Sequence, residues 1–181
     1  MDARSGFLRA IRWAAMATCL PMLCFTYMEN GFAEPRKALT SEQTPATIDG
    51  WRLLANRGVA DAQFYLGTLY DLGLGGVRQD FVEAVKWYRL AAEQGDPRAQ
   101  SSLAFFYIRG QGGVVRDLVQ AHKWLSVSAS RFARMQPRNM SGLGSKGGRA
   151  LAAKTRDFIA VHMTRKQIAE AQRLAREWSP R

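Results

Sequence analysis

Residues 62–92 and 99–129 are two copies of one pattern, offset by 37 residues. Ala62, Gln63, Leu66, Tyr70, Gly73, Gly75, Gly76, Val77, Asp80, Ala84, Trp87 and Ala92 recur as Ala99, Gln100, Leu103, Tyr107, Gly110, Gly112, Gly113, Val114, Asp117, Ala121, Trp124 and Ala129. Identities held in one register over such a span are not coincidence. A period of this length marks stacked supersecondary units, each too small to bury its own apolar face alone. The fold class that follows is all-α: a short α-solenoid of antiparallel helix pairs, with irregular capping helices at both ends.

Each copy reads as helix, tight loop, helix. The spacing predicts a front helix over Ala60 to Leu72, with Ala62, Leu66 and Tyr70 four apart on one face. Gly67 sits beside that stripe. A mid-helix glycine costs roughly 1 kcal/mol against alanine, so a close approach of a second helix is expected there. The second copy has the equally small Ala104. The loop Gly73 to Val77 ends the helix, since glycine takes the left-handed conformation without strain. Asp80 is placed as the N-cap of a rear helix, with Glu83 completing a capping-box-like pair; Asp117 and Gln120 repeat the device. Ala84, Trp87 and Ala91 then alternate small and bulky on the rear helix. Asp96 and Pro97 open the next front helix. The repeat core is therefore Ala62, Leu66, Tyr70 and Trp87, with Ala99, Leu103, Tyr107 and Trp124 in the second copy.

The run Ala-Gln-x-x-Leu-Gly-x-x-Tyr, the Gly-x-Gly loop followed by Val, Asp-x-x-x-Ala-x-x-Trp and Ala-Ala-x-Gln-Gly resembles the Sel-one-like repeat (SLR), a relative of the tetratricopeptide repeat. Departures are Ala104, where the family usually has glycine, Ser128, and an extra loop glycine in each copy (Gly76, Gly113) that should not disturb packing. Met163 to Trp178 resembles the closing segment of bacterial SLR proteins, with Arg165 where that segment often has proline. The resemblance implies a scaffold that holds protein partners, and no cofactor. It says little about which process the scaffold serves.

Outside the repeats the chain divides by composition. Arg4, Arg9 and Arg12 precede an apolar stretch from Trp13 to Tyr27, and Gly31-Phe-Ala33 offers a small-residue cleavage site. Residues 1–33 thus read as a secretory signal peptide cut near Ala33, with an uncleaved membrane anchor as the alternative. The apolar run is shorter than the ~20 residues of a spanning helix, so no transmembrane span is expected in the mature chain. Both cysteines, Cys19 and Cys24, fall inside that leader. Residues 34–46 read as a flexible N-terminal arm and residues 47–58 as a leading cap helix. The repeats occupy 59–95 and 96–132. Residues 133–148 read as a flexible Gly/Ser-rich loop, and 149–181 as a basic C-terminal helical hairpin. In that hairpin Ala150, Ala153, Phe158 and Val161 mark the first helix. Thr164 caps the second, with Gln167 completing a capping box.

Charge is unevenly spread. Residues 34–130 carry 11 basic and 10 acidic side chains, whereas residues 131–181 carry 12 and 3. Such a field attracts anionic partners at long range and weakens with salt. Nucleic acid is not expected for a secreted chain; an anionic envelope component or an acidic protein face fits better.

Chemical motifs mostly fail. Gly142 to Gly147 fits G-x-G-x-x-G, but no strand precedes it and no acidic residue follows at the needed distance. His122 and His162 lack ligand-spaced partners, so no metal site is expected. The Ser-x-x-Lys and Lys-Thr-Gly signatures of penicillin-recognising enzymes are absent. No catalytic residues are assigned. What remains is the front-helix face left over after the core stripe: Tyr65, Thr68 and Leu72, and in the second copy Ser102, Phe105 and Arg109. Each triple has i, i+3, i+7 spacing, and exposed Tyr, Phe and Arg make good interface anchors. The expected function is a secreted or periplasmic, non-catalytic protein-interaction adaptor. The alternative is a cell-wall or anionic-glycan binding module using the basic C-terminal region.

Overall fold

A computed structural model describes residues 47–134 and 142–180. The leader and the N-terminal arm lie outside the described residues, as does the 135–141 part of the expected loop. The described residues form seven helices and no strand: α1 (Ile48–Asn56), α2 (Ala60–Leu72), α3 (Phe81–Glu93), α4 (Pro97–Arg109), α5 (Leu118–Arg134), α6 (Gly142–Ala160) and α7 (Arg165–Glu177). Each helix from α1 to α5 packs against the next, and α7 packs on α5.

Capping chemistry sets the helix boundaries. Asp80 accepts from the backbone N–H of Val82 and Glu83 at 2.9 and 3.1 Å. Asp117 does the same for Val119 and Gln120 at 2.8 and 3.0 Å. The expected reciprocal half of these capping boxes does not form. The Asp80 and Asp117 N–H groups instead donate to the Tyr70 and Tyr107 carbonyls, both at 2.9 Å, which closes each hairpin loop. With that donor occupied, Glu83 turns to Lys86 at 3.2 Å. A full capping box does form at Thr164 and Gln167. Gly73 and Gly110 end the two front helices with φ of 67° and 69°, the left-handed region that a side chain would strain.

The 37-residue period extends into α1. Gln63 donates to the Ala55 carbonyl at 3.1 Å, and Gln100 donates to the Ala92 carbonyl at 3.0 Å. Ala55 and Ala92 are themselves 37 apart, so α1 occupies the place of a rear helix before the first complete pair. Buried amides satisfied on a neighbouring backbone fix register, because leaving either unmade costs about 1–3 kcal/mol.

Ala62, Leu66, Ala99, Leu103 and Trp124 are buried. Tyr70 and Tyr107 are half-buried against the main cluster, and Trp87 is half-buried against the Ala55, Ala62 and Leu66 cluster. The close approach expected at Gly67 is present: a β-carbon there would lie 2.8 Å from the Tyr88 ring. At the equivalent positions of the second copy, Ala104 and Leu125 are both fully buried. A methyl fits where leucine replaces the flat tyrosine ring. That accounts for the departure at Ala104.

The C-terminal part differs from the sequence reading in three respects. Helix α6 begins at Gly142, so the helix includes residues expected to be loop. Gly148 is a contact residue: a β-carbon there would lie 2.6 Å from the Phe132 ring. That contact turns Gly148, Ala152 and Ile159 inward, and leaves Phe158 and Val161 at 68% and 75% exposure. The apolar positions Phe158 and Val161 thus lie outside the packed face. Finally, α6 and α7 do not form a self-packed hairpin; each packs mainly on α5. Trp178 at the end of α7 meets Trp124 edge-on, with centroids 6.0 Å apart.

Candidate partner-binding face

The front helices α2 and α4 carry the residues expected to meet a partner, and the structure divides them. Leu72 and Arg109 are exposed at the C-terminal ends of α2 and α4. Tyr65 is exposed at 41%, yet its ring lies 4.8 Å from Trp51 of α1 and 5.5 Å from Phe64. It has one free edge and one packed face. Phe105 is half-buried.

Thr68 and Ser102 are half-buried, and Thr68 has structural partners within the fold. Thr68 Oγ1 donates to the Phe64 carbonyl at 3.0 Å and meets the Tyr88 hydroxyl at 3.2 Å. Asp71 stands 3.3 Å from the same hydroxyl, and Ser102 also acts on its titration. Burial first, opposed by the Thr68 hydrogen bond and reinforced by the Asp71 charge, pushes the Tyr88 phenol up to about 12. Tyr88 is thus a neutral donor to α2, while its ring meets Phe106 of α4. The sequence reading missed it because its equivalent, Leu125, shares no chemistry with it.

A second missed feature sits at the seam between repeats. Asp61 and Arg98 occupy the same repeat position, 37 residues apart, and pair with one another; Arg98 also pairs with Asp96. Its guanidinium lies 4.4 Å from the Phe64 ring centroid and 5.6 Å from that of Tyr65. Burial acts to lower the Arg98 pKa, but Asp96 and then Asp61 outweigh it and the net direction is upward. A charge pair held this way on aromatic faces fixes how one unit meets the next. Opposite charges at equivalent positions were the available signal. The rings continue inward from Phe64 to Tyr88 at 5.9 Å, Phe106 at 6.0 Å and Phe81 at 5.9 Å.

His122 is buried in α5, with Nδ1 3.5 Å from Ser126 Oγ. The nearest acidic group acting on it, Asp157, is hydrogen-bonded to Arg156 at 2.7 and 2.9 Å. A serine–imidazole pair needs a carboxylate to orient the ring before it can activate the hydroxyl, and Asp157 is engaged elsewhere. Among the described residues no three His, Cys, Asp or Glu side chains are grouped to hold a metal ion. No helix among them is long and apolar enough to cross a membrane.

Paired helices stacked in one repeating register, with a seam of shared contacts, define a short helical-repeat solenoid. The Sel1 repeat model matches residues 60–96 and 97–131, so these residues are two Sel1-like repeats. It is similar to a protective antigen present in uropathogenic Escherichia coli strains, whose crystal structure displays an SLR fold. The two share 32% identity with a TM-score of 0.54 over 72% of this chain and 24% of that one. It is also similar to a Sel1 repeat protein from Oxalobacter formigenes, with 34% identity and a TM-score of 0.44 over 46% of this chain and 34% of that one. The chain thus spans about a quarter and about a third of these two proteins. Compared with curated proteins, it matches none. Sel1 repeat proteins are generally scaffolds for protein interaction and typically non-catalytic.

Proposed function

We propose that the protein is a secreted or periplasmic, non-catalytic adaptor that holds a protein partner on the exposed ends of its front helices. The observation that carries this reading is a contrast between core and surface. Ala62, Leu66 and Tyr70 are repeated exactly as Ala99, Leu103 and Tyr107, while the exposed Leu72 has Arg109 as its counterpart. Packing dictates the first set and leaves the second to other demands. An apolar and a cationic side chain at matching ends of neighbouring helices offer two different anchors to one partner, with the free edge of Tyr65 beside them. The basic leader and apolar stretch before residue 34 support export.

Photo-cross-linking groups placed singly at Leu72, Arg109 and the exposed rear-helix residue Arg89, in cells expressing the full chain, test the face. Discrete adducts at the two front positions and none at Arg89 are expected. Equal labelling at all three positions would remove the assignment. Fractionation of the same cells tests export: retention of the protein in the cytoplasm would remove the localisation.

A further inference from the structure

An open cleft of about 660 Å³ lies between α5 and the end of α7, lined among others by Ser130, Arg131, Arg134, Gln172, Arg176 and Trp178. That volume falls within the roughly 300–1,000 Å³ of small-ligand sites. Its charge is one-sided. No acidic side chain among the described residues lines it, and the sequence contains none between Asp117 and Asp157. The two carboxylates of α7, Glu170 and Glu177, are both held by Arg173 at 2.6 and 2.7 Å. Arg134 and Arg176 have no ion-pair partner among the described residues.

The repeat register gives a second sign of use. Arg131 stands where the first copy has Gln94, which donates to Gln63 Oε1 at 2.7 Å. The Oε1 of Gln100, the counterpart of Gln63, is buried and receives no hydrogen bond. The Arg131 guanidinium lies against Gly95 and over the Trp178 ring, 5.0 Å from its centroid. The glutamine pair of the first copy is thus not repeated, and a guanidinium is held on an aromatic face at the cleft.

From this geometry we infer that the α5–α7 cleft is a binding site for an acidic peptide segment bearing two or three carboxylates. Guanidinium groups match carboxylates in bidentate geometry, and Ser126, Ser130, Gln172 and Ser179 in the lining can meet backbone amides. The concave shape admits a chain segment, whereas a flat bilayer reaches only the rim. The inference rests on the interaction-scaffold reading but concerns a different surface from the front helices.

The test is fluorescence anisotropy with the chain from residue 34 onward and a labelled, end-blocked hexapeptide carrying three Asp or Glu residues. The arms are its Asn/Gln counterpart, a sulfated polysaccharide and anionic phospholipid vesicles as competitors. Saturable binding of the acidic peptide, absent for the neutral one, is expected. Arg134→Ala and Arg176→Ala should each weaken it by roughly tenfold, while Lys154→Ala, an exposed cation elsewhere, should change it less than about twofold. Melting temperatures of all variants serve as the folding control. No saturable binding, or equal losses at Lys154 and the cleft arginines, would overturn the site. Stronger binding of the polysaccharide or vesicles than of the peptide, lost in the same arginine variants, would overturn the peptide assignment. If the peptide fails while front-helix cross-links persist, this inference falls and the adaptor reading stands.

Discussion

At the scale of single residues, the fold turns on where side chains are missing. Gly67→Ala should place a methyl against the Tyr88 ring and destabilise by roughly 1–3 kcal/mol. Adding Tyr88→Leu, which recreates the Ala104 and Leu125 combination, should recover part of that loss. A denaturant double-mutant cycle measures the coupling, and strict additivity would mean the two positions do not touch. Gly147→Ala, with nothing within 4 Å of the added carbon, should instead be neutral or stabilise by up to ~1 kcal/mol. Titration gives a second residue-scale test. Burial and then the charge of Arg156 lower the His122 pKa, with Asp157 opposing. A folded value below the unfolded one means that the unfolded chain takes up the proton first as pH falls. The contribution of neutral His122 is complete above the unfolded value of 6.5 and is lost as pH drops toward the folded value. The melting temperature should therefore fall between about pH 7.5 and 5.5. His122→Asn should lower stability but flatten that slope; an unchanged slope would assign the effect to other groups.

At the scale of helices, the two tryptophans of the repeat are not equivalent in practice. Trp124→Ala removes a buried ring that also seats Trp178, and should cost roughly 3–5 kcal/mol. Trp87 is only half-buried, so its truncation should cost less. Thermal melts of the two variants rank them, and equal shifts would contradict this packing. The sequence made helices α2 to α5 legible because two copies in one register expose the core stripe, the loop glycines and the Asp caps together. It misled at α6. Gly142, Gly144, Gly147 and Gly148 read locally as loop chemistry, and only the Phe132 ring of a neighbouring helix explains why Gly148 belongs in a packed face. The structural contact of Thr68 was illegible for a similar reason. Its hydroxyl is engaged by Tyr88 across a helix pair, a contact that no spacing within α2 reveals.

At the scale of the whole molecule, the central claim is that the described residues, 47–134 and 142–180, form one stack whose repeats and caps support each other. The four tryptophans after residue 34 lie at different points of that stack: Trp51 in α1, Trp87 in α3, Trp124 in α5 and Trp178 just past α7. Adjacent units that bury a shared interface unfold together when interface terms dominate. The most direct measurement is therefore thermal unfolding of the chain from Glu34 onward, followed in parallel by far-ultraviolet circular dichroism and tryptophan fluorescence. A helix-dominated spectrum and a single transition at the same temperature by both probes is the predicted result. A β-dominated spectrum, or fluorescence and ellipticity changing at separate temperatures, would contradict it.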